Sequence, residues 1–223
     1  MFLSDFLDAF ASELNSLASR GLLPASRLRD GRWIRYSWLH ARVTAAAARA
    51  MPDPWYPALE VKWNRRFKPD LCAVDAADRT VAVIEYESVN SSDERLMGKD
   101  LGHFEREIVT LARTPKILPE WWIICSTLPD GPVTGWKWYG WNRDARYPPP
   151  HKDKASRNAN PLAYYKAHLH SEFGASWNRI IQAVGNPPPC KLVWVNLAPD
   201  AIRVMNVDGV AQEPPTEFPL SLP

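Results

Sequence analysis

Three carboxylates carry the chemistry this sequence suggests first. Asp70 follows Pro69 in the run KPDL, and Glu85 and Glu87 stand two residues apart in IEYES. The segments LCAV and TVAVIEYES flank the turn residues AADR and read as a β-hairpin. A turn centred between Ala77 and Asp78 pairs Val74 with Val81, Cys72 with Val83 and Asp70 with Glu85. Directly opposed like charges destabilise a sheet unless something cationic lies between them. Glu87 shares a strand face with Glu85, roughly 6 to 7 Å further along. The residues preceding Glu85 on that face, Val81 and Val83, are apolar, so the face turns acidic abruptly. An oxygen-only donor set of this kind suits a hard cation, Mg²⁺ with Mn²⁺ as the alternative. Asp70, Glu85 and Glu87 therefore converge as candidates to hold such an ion.

One accessory position follows from the same geometry. Glu60 falls beside Asp70 in one register of the preceding strand and beside Leu71 in the register one residue away, which would place it on the opposite face. Lys62, Arg65, Arg66 and Lys68 gather just before Asp70, where they could offset the repulsion between the acids and a polyanion. A second mixture, from Trp136 to Arg157, interleaves tryptophans with arginines and lysines. Such mixtures can stack bases and neutralise phosphates, or anchor a protein contact.

The elements that must position these groups can be read from periodicity. Leu3, Phe6, Leu7, Phe10, Leu14 and Leu17 predict an amphipathic helix over residues 4–20. A second, alanine-rich helix is expected from about Trp33 to Ala50. ALEVKW, at 58–63, alternates as a first strand, and the hairpin follows it. Ser91 with Glu94 fits a capping box ahead of a helix stepping through Met97, Leu101, Phe104, Ile108 and Leu111. WWIICST reads as a buried strand. Residues 130–160 form a Trp- and Pro-rich excursion and 162–184 a further helix. LVWVNL and AIRVMNV form a terminal hairpin, the C-terminal elaboration spans about 162–208, and the tail from 214 to 223 is expected to fray. All of this fits one domain.

KPDL and IEYES, in this order of elements, resemble the PD-(D/E)xK signature of the restriction-endonuclease-like nucleases. The resemblance covers residues 33–127, and the family core of helix, three-stranded antiparallel meander, helix and strand matches the order just read. It implies an α/β (α+β) fold, Mg²⁺ held by Asp70 and Glu85, and phosphodiester hydrolysis, with DNA as substrate. The departure lies at the third motif position, where the family usually has lysine and this chain has Glu87. Some restriction enzymes of this fold use E-x-E. The resemblance thus implies Asp70, Glu85 and Glu87 as the catalytic residues; a carboxylate at the third position can help to hold metal or accept a proton, but cannot stabilise developing negative charge as an ammonium does. Lys99, on a polar helical stripe with Arg95, His103 and Arg106, is the nearest lysine that could compensate for the displaced one.

Composition bounds the alternatives. With 46% apolar and 23% charged residues the chain is globular in character. Its net charge of +2 is too small for indiscriminate coating of nucleic acid, so binding must be local. Cys72, Cys125 and Cys190 are odd in number and lie in apolar runs, which predicts buried thiols and a cytoplasmic setting. No apolar run reaches the roughly 18 residues of a membrane span, and MFLSDFLDAF lacks the basic start of a signal peptide. No G-x-x-x-x-G-K-[ST] loop predicts ATP use. The expected partner is nucleic acid, and self-association into a homodimer or larger complex is compatible with the composition. The rival expectation is a catalytically inactive nucleic-acid-binding or protein-interaction module built on the same fold.

Overall fold

The computed structural model describes residues 2–20, 36–59, 61–64, 67–87, 94–114, 116–126, 161–197, 201–205 and 217–220. Helix α1 (Phe2–Ser19) is followed by α2 (Tyr36–Arg49) and strand β1 (Tyr56–Leu59). Strands β2 (Leu71–Val74) and β3 (Thr80–Glu87) lead into α3 (Glu94–Ala112) and β4 (Trp121–Ser126). Helix α4 (Pro161–Val184) precedes β5 (Lys191–Leu197), β6 (Ala201–Met205) and β7 (Glu217–Pro219). The fold is mixed α/β. Among the described residues four helices accompany one seven-stranded sheet ordered β1-β2-β3-β4-β5-β6-β7. Pairing is antiparallel except for β3–β4 and β4–β5.

Alternation along the strands sorts the core into two layers. Leu71, Ala73, Ile84, Tyr86, Ile123 and Val195 face α1 and α2, while Cys72, Val83, Trp122, Ile124 and Trp194 face α3 and α4. The central strands β3, β4 and β5 are thus covered on both sides, which is why WWIIC and LVWV read as unbroken apolar runs. The residues predicted for the apolar face of α1 are all buried, and its Phe2, Phe6 and Phe10 rings stack at successive turns, 5.7 and 5.6 Å apart. On the other side Phe104 of α3 is fully buried against Trp122, with ring centroids 5.1 Å apart. Glu105 of α3 accepts bonds from Ser176 Oγ (2.9 Å) and Arg179 Nη2 (2.8 Å), tying α4 to α3.

Several expectations are corrected. The first strand lies at 56–59 rather than 58–63, and it is the exposed outer strand of the sheet. Val61 and Trp63 leave the ladder, Trp63 packing edge-on to Trp122 at 5.9 Å. The hairpin keeps the predicted partners for Cys72 and Val83, but the register shifts at Val74, which faces Thr80 instead of Val81. Asp75 explains the shift. Its Oδ1 accepts the backbone N–H groups of Ala77 (2.9 Å) and Arg79 (3.0 Å), and Asp78 adopts a positive φ of 58°, a conformation aspartate tolerates. The tail expected to fray over 214–223 instead supplies β7, with Phe218 and Leu220 buried. Pro219 is accommodated because β7 is an outer strand, where a missing N–H is harmless. The three cysteines are free and buried as predicted. Among the described residues no helix is long and apolar enough to cross a membrane. The excursion at 130–160 lies outside the described residues.

Candidate acidic site

The carboxyl ends of the parallel strands β3 and β4 are where the acids meet. Glu85 follows Val83 on the face covered by α3 and is buried, at 9% exposure. Asp70 lies one residue before β2, at the level the predicted register gives it, and its Oδ2 accepts the backbone N–H of Tyr86 at 2.9 Å. The Glu85 carboxyl is within hydrogen-bonding reach of both the side chain and the backbone of Asp70. The structure thus brings these two together.

A third acid joins them that the motif did not point to. Asp100, in the second turn of α3, is 6% exposed and acts electrostatically on Glu85. Its signal was present in the sequence, since it lies four residues before Phe104 and therefore on the apolar stripe of the helix. Burial first, then the charges of Asp70 and Asp100, drives the Glu85 carboxyl far above the ordinary carboxylate range. The same field reaches the thiols. Burial and then Glu85 push Cys72 up to about 12, and burial and then Asp70 push Cys125 to about 12, so neither is a ready nucleophile.

Beyond Glu85 the sheet turns polar across three strands at once. The register aligns Glu87 of β3 with Ser126 of β4, and Ser126 with Asn196 of β5. Ser126, Asn196 and Trp194 are completely buried. Trp194 Nε1–H donates to Ser126 Oγ at 2.8 Å, and the Ser126 hydroxyl donates to Asn196 Oδ1 at 2.9 Å. Sequence reasoning passed over this row because each polar residue ends or interrupts an apolar run that reads as core.

On the opposite side of the sheet a cavity of about 10 Å³, roughly one water molecule in size, is lined by Thr44, Asp70, Tyr86 and Cys125, among others. Thr44 Oγ1 is buried, with no hydrogen-bond partner among the described residues.

The other expected site residues divide as follows. Lys62 and Lys68 are exposed at the ends of the loop after β1. That loop is held to α3 by Asn64, which bonds Glu107 Oε1 at 2.7 Å and the Phe67 N–H at 2.9 Å, and by Phe67 packed on Phe104. Arg65, Arg66 and Glu60 lie outside the described residues, as do the side chains of Glu87 and Lys99. The β1–β2 register pairs Leu59 with Leu71 and Ala58 with Cys72. Among the described residues, no group of three or more His, Cys, Asp or Glu side chains converges as a ready metal cage. Asp70, Glu85 and Asp100 are thus an acidic cluster held together by packing rather than a preformed cage.

The chain matches no protein-family model, no curated protein and no solved structure.

Proposed function

We propose that this chain is a Mg²⁺-dependent nuclease, with a restriction-endonuclease-like arrangement and the E-x-E variant of the PD-(D/E)xK motif, acting on DNA phosphodiesters. The observation that carries the reading is Glu85. A carboxyl buried against Asp70 and beneath Asp100 is costly for folding and of value where a cation arrives to neutralise it. The donor set fits, because carboxylate oxygens are what Mg²⁺ selects. Asp70 and Glu85 would hold the ion, and Mg²⁺ bound there supplies Lewis-acid polarisation of a phosphate oxygen. Backbone packing holds the two ligands: the Tyr86 N–H orients Asp70, and the covered strand β3 orients Glu85. Glu87, at the level of Ser126, is the group to accept a proton from attacking water, with Glu60 and Lys99 as accessory groups. Lys62 and Lys68, exposed on the loop that leads to Asp70, offset the repulsion between the acids and the substrate, together with Arg65 and Arg66, which lie between them in the sequence.

A second reading, a binding module that has lost catalysis, draws on Glu87 in place of lysine and on the lack of a preformed cage among the described residues. One experiment separates the two. Supercoiled plasmid and single-stranded DNA are incubated with wild type, Asp70→Asn and Glu85→Gln, in Mg²⁺, Mn²⁺ or chelator. The nuclease reading expects metal-dependent cleavage by wild type and a loss of about a hundredfold or more in each variant. Binding without cleavage in either metal would establish the module instead.

A further inference from the structure

The loop between β1 and β2 sorts its described residues into two kinds. Val61 and Trp63 pack against the core beside α3, Phe67 is 3% exposed and Pro69 is buried, whereas Lys62 and Lys68 remain exposed. Asn64 fastens the loop. Its backbone N–H donates to the Phe67 carbonyl at 3.1 Å, its Oδ1 accepts the Phe67 N–H, and its Nδ2 donates to Glu107 of α3. The Phe67 ring meets His103 and Phe104 edge-on, at 5.4 and 6.0 Å. Surface connections are ordinarily the mobile parts of a domain. This one is tied to α3 by an exposed side chain that commits both of its polar atoms to the task.

Fastened in this way, the loop runs along α3 toward the acids. Phe67 lies at His103 and Phe104, one turn of α3 from Asp100, and Asp70, three residues further on, lies against Glu85, on which Asp100 acts. Lys68 is carried between these two points. The helical repeat puts Arg106 on the side of His103 away from Phe104 and Glu107. Arg106 is exposed, and its Nη1 sits 3.6 Å from where a side chain on Gly102 would begin, so the guanidinium folds back one turn toward the level of Asp100. Glu105, next to it in the chain, is taken up by Ser176 and Arg179 of α4. Lys68 and Arg106 thus flank the seam at which Phe67 meets His103, and ammonium and guanidinium both suit phosphate oxygens. Because the loop is already fixed, a polyanion lying on the seam has little of the protein to order.

We propose that the seam between α3 and this loop is a phosphate-binding surface for nucleic acid, with Lys68 and Arg106 as its contacts and Asn64 as the residue that holds the loop in place for it. The choice of nucleic acid rests on the nuclease reading of Asp70 and Glu85; the affinity for a phosphate chain does not. Binding of fluorescent single-stranded and duplex oligonucleotides is measured by anisotropy between about 50 and 200 mM salt, in chelator, with plasmid cleavage followed separately in Mg²⁺. Lys68→Ala combined with Arg106→Ala should flatten the slope of log affinity against log salt by about 1.4 to 1.8. Wild-type affinity should thus fall about tenfold more than the variant's over this fourfold rise in salt. Asn64→Ala keeps every charge, so it should weaken binding by about three- to tenfold while leaving the slope unchanged. Glu107→Gln still accepts from Asn64 and Glu107→Ala does not, although their charge is the same. The alanine variant should therefore bind more weakly than the glutamine variant by the factor seen for Asn64→Ala, an effect that a strap serving stability alone would not produce. Equal binding by the two Glu107 variants overturns the role of Asn64. A flattened slope with metal-dependent cleavage by wild type supports both the surface and the nuclease reading, and a flattened slope without any cleavage keeps the surface and removes the chemistry. Cleavage with an unchanged slope overturns the surface alone. Failure to bind any oligonucleotide overturns it too, and binding of polyglutamate in that case would assign the seam to an acidic protein.

Discussion

Neutralising Glu85 should stabilise the metal-free protein, by an amount that grows with pH. Its carboxyl is 9% exposed and binds its proton far more tightly than an ordinary glutamate, through burial and the charges of Asp70 and Asp100. A folded-state pKa raised above the unfolded one contributes stability that is fully present below the unfolded value, about 4.3, and is lost as pH rises toward the folded value. Within that window the folded chain holds one proton more than the unfolded chain. Stability therefore falls by at most about 1.4 kcal/mol per pH unit, or about 2.7 kcal/mol from pH 5 to pH 7. Glu85→Gln removes the titration and keeps a hydrogen-bonding group beside Asp70. Urea unfolding in chelator at pH 5, 6 and 7 should show the variant gaining on wild type at each step, reaching a midpoint difference on the order of 1 M. Adding Mg²⁺ at neutral pH should stabilise wild type more than the variant, by about 2.7 kcal/mol at a hundredfold excess over the dissociation constant. If the wild-type and variant stabilities run parallel from pH 5 to 7, Glu85 is not held protonated by its neighbours, and the argument for a cation there fails with it.

Two further outcomes test the packing around the site. Ser126→Ala strips Trp194 Nε1 of its acceptor and Asn196 Oδ1 of a donor in a fully buried position, and should cost about 1 to 3 kcal/mol by urea unfolding. Phe104→Ala removes a fully buried ring wedged between Phe67 and Trp122 and should cost about 3 to 5 kcal/mol, with a loss of near-ultraviolet circular dichroism as the aromatic cluster loosens.

The features legible in the sequence were those in which one period dominated. Heptad-like spacing exposed α1, and the β-branched run TVAVI, bounded by turn residues, exposed the hairpin, whose register is as expected at Cys72. Features governed by tertiary position were not legible. Strand β1 is an outer strand with little burial, so the alternation of Leu59, Val61 and Trp63 spoke for side-chain packing and not for the ladder. The tail pairs as β7 over three residues, Glu217–Pro219, and its buried apolar residues are Phe218 and Leu220, too few to show a period. Asp100 was hidden because an acid on a helix reads as solvent-facing by default. Its position four residues before Phe104 shows otherwise only once the helix is known to pack on β3 and β4. Glu85 was legible for the complementary reason: strand residues alternate, so an acid two residues after Val83 stands out, even though Val81, expected on the same face, packs on the α1–α2 side beyond the register shift.

Polar groups in this fold are not distributed as stability alone would place them. On the face covered by α3 and α4, Val83 aligns with Trp122, and Trp122 with Leu192, in a wholly apolar row. The next row on that face holds Glu85, Ile124 and Trp194, and the last holds Glu87, Ser126 and Asn196. Apolar residues of similar volume would satisfy the last two rows without desolvating a carboxylate or requiring a hydrogen-bonded chain. The change occurs at the carboxyl ends of the three parallel-linked strands, the place where open sheets of this kind present groups to a ligand. Lys62 and Lys68 are exposed on the loop that leads to Asp70 and is docked to α3. Burial of Glu85 against Asp70 and near Asp100 is the costliest of these placements, and it is the one a cation would relieve.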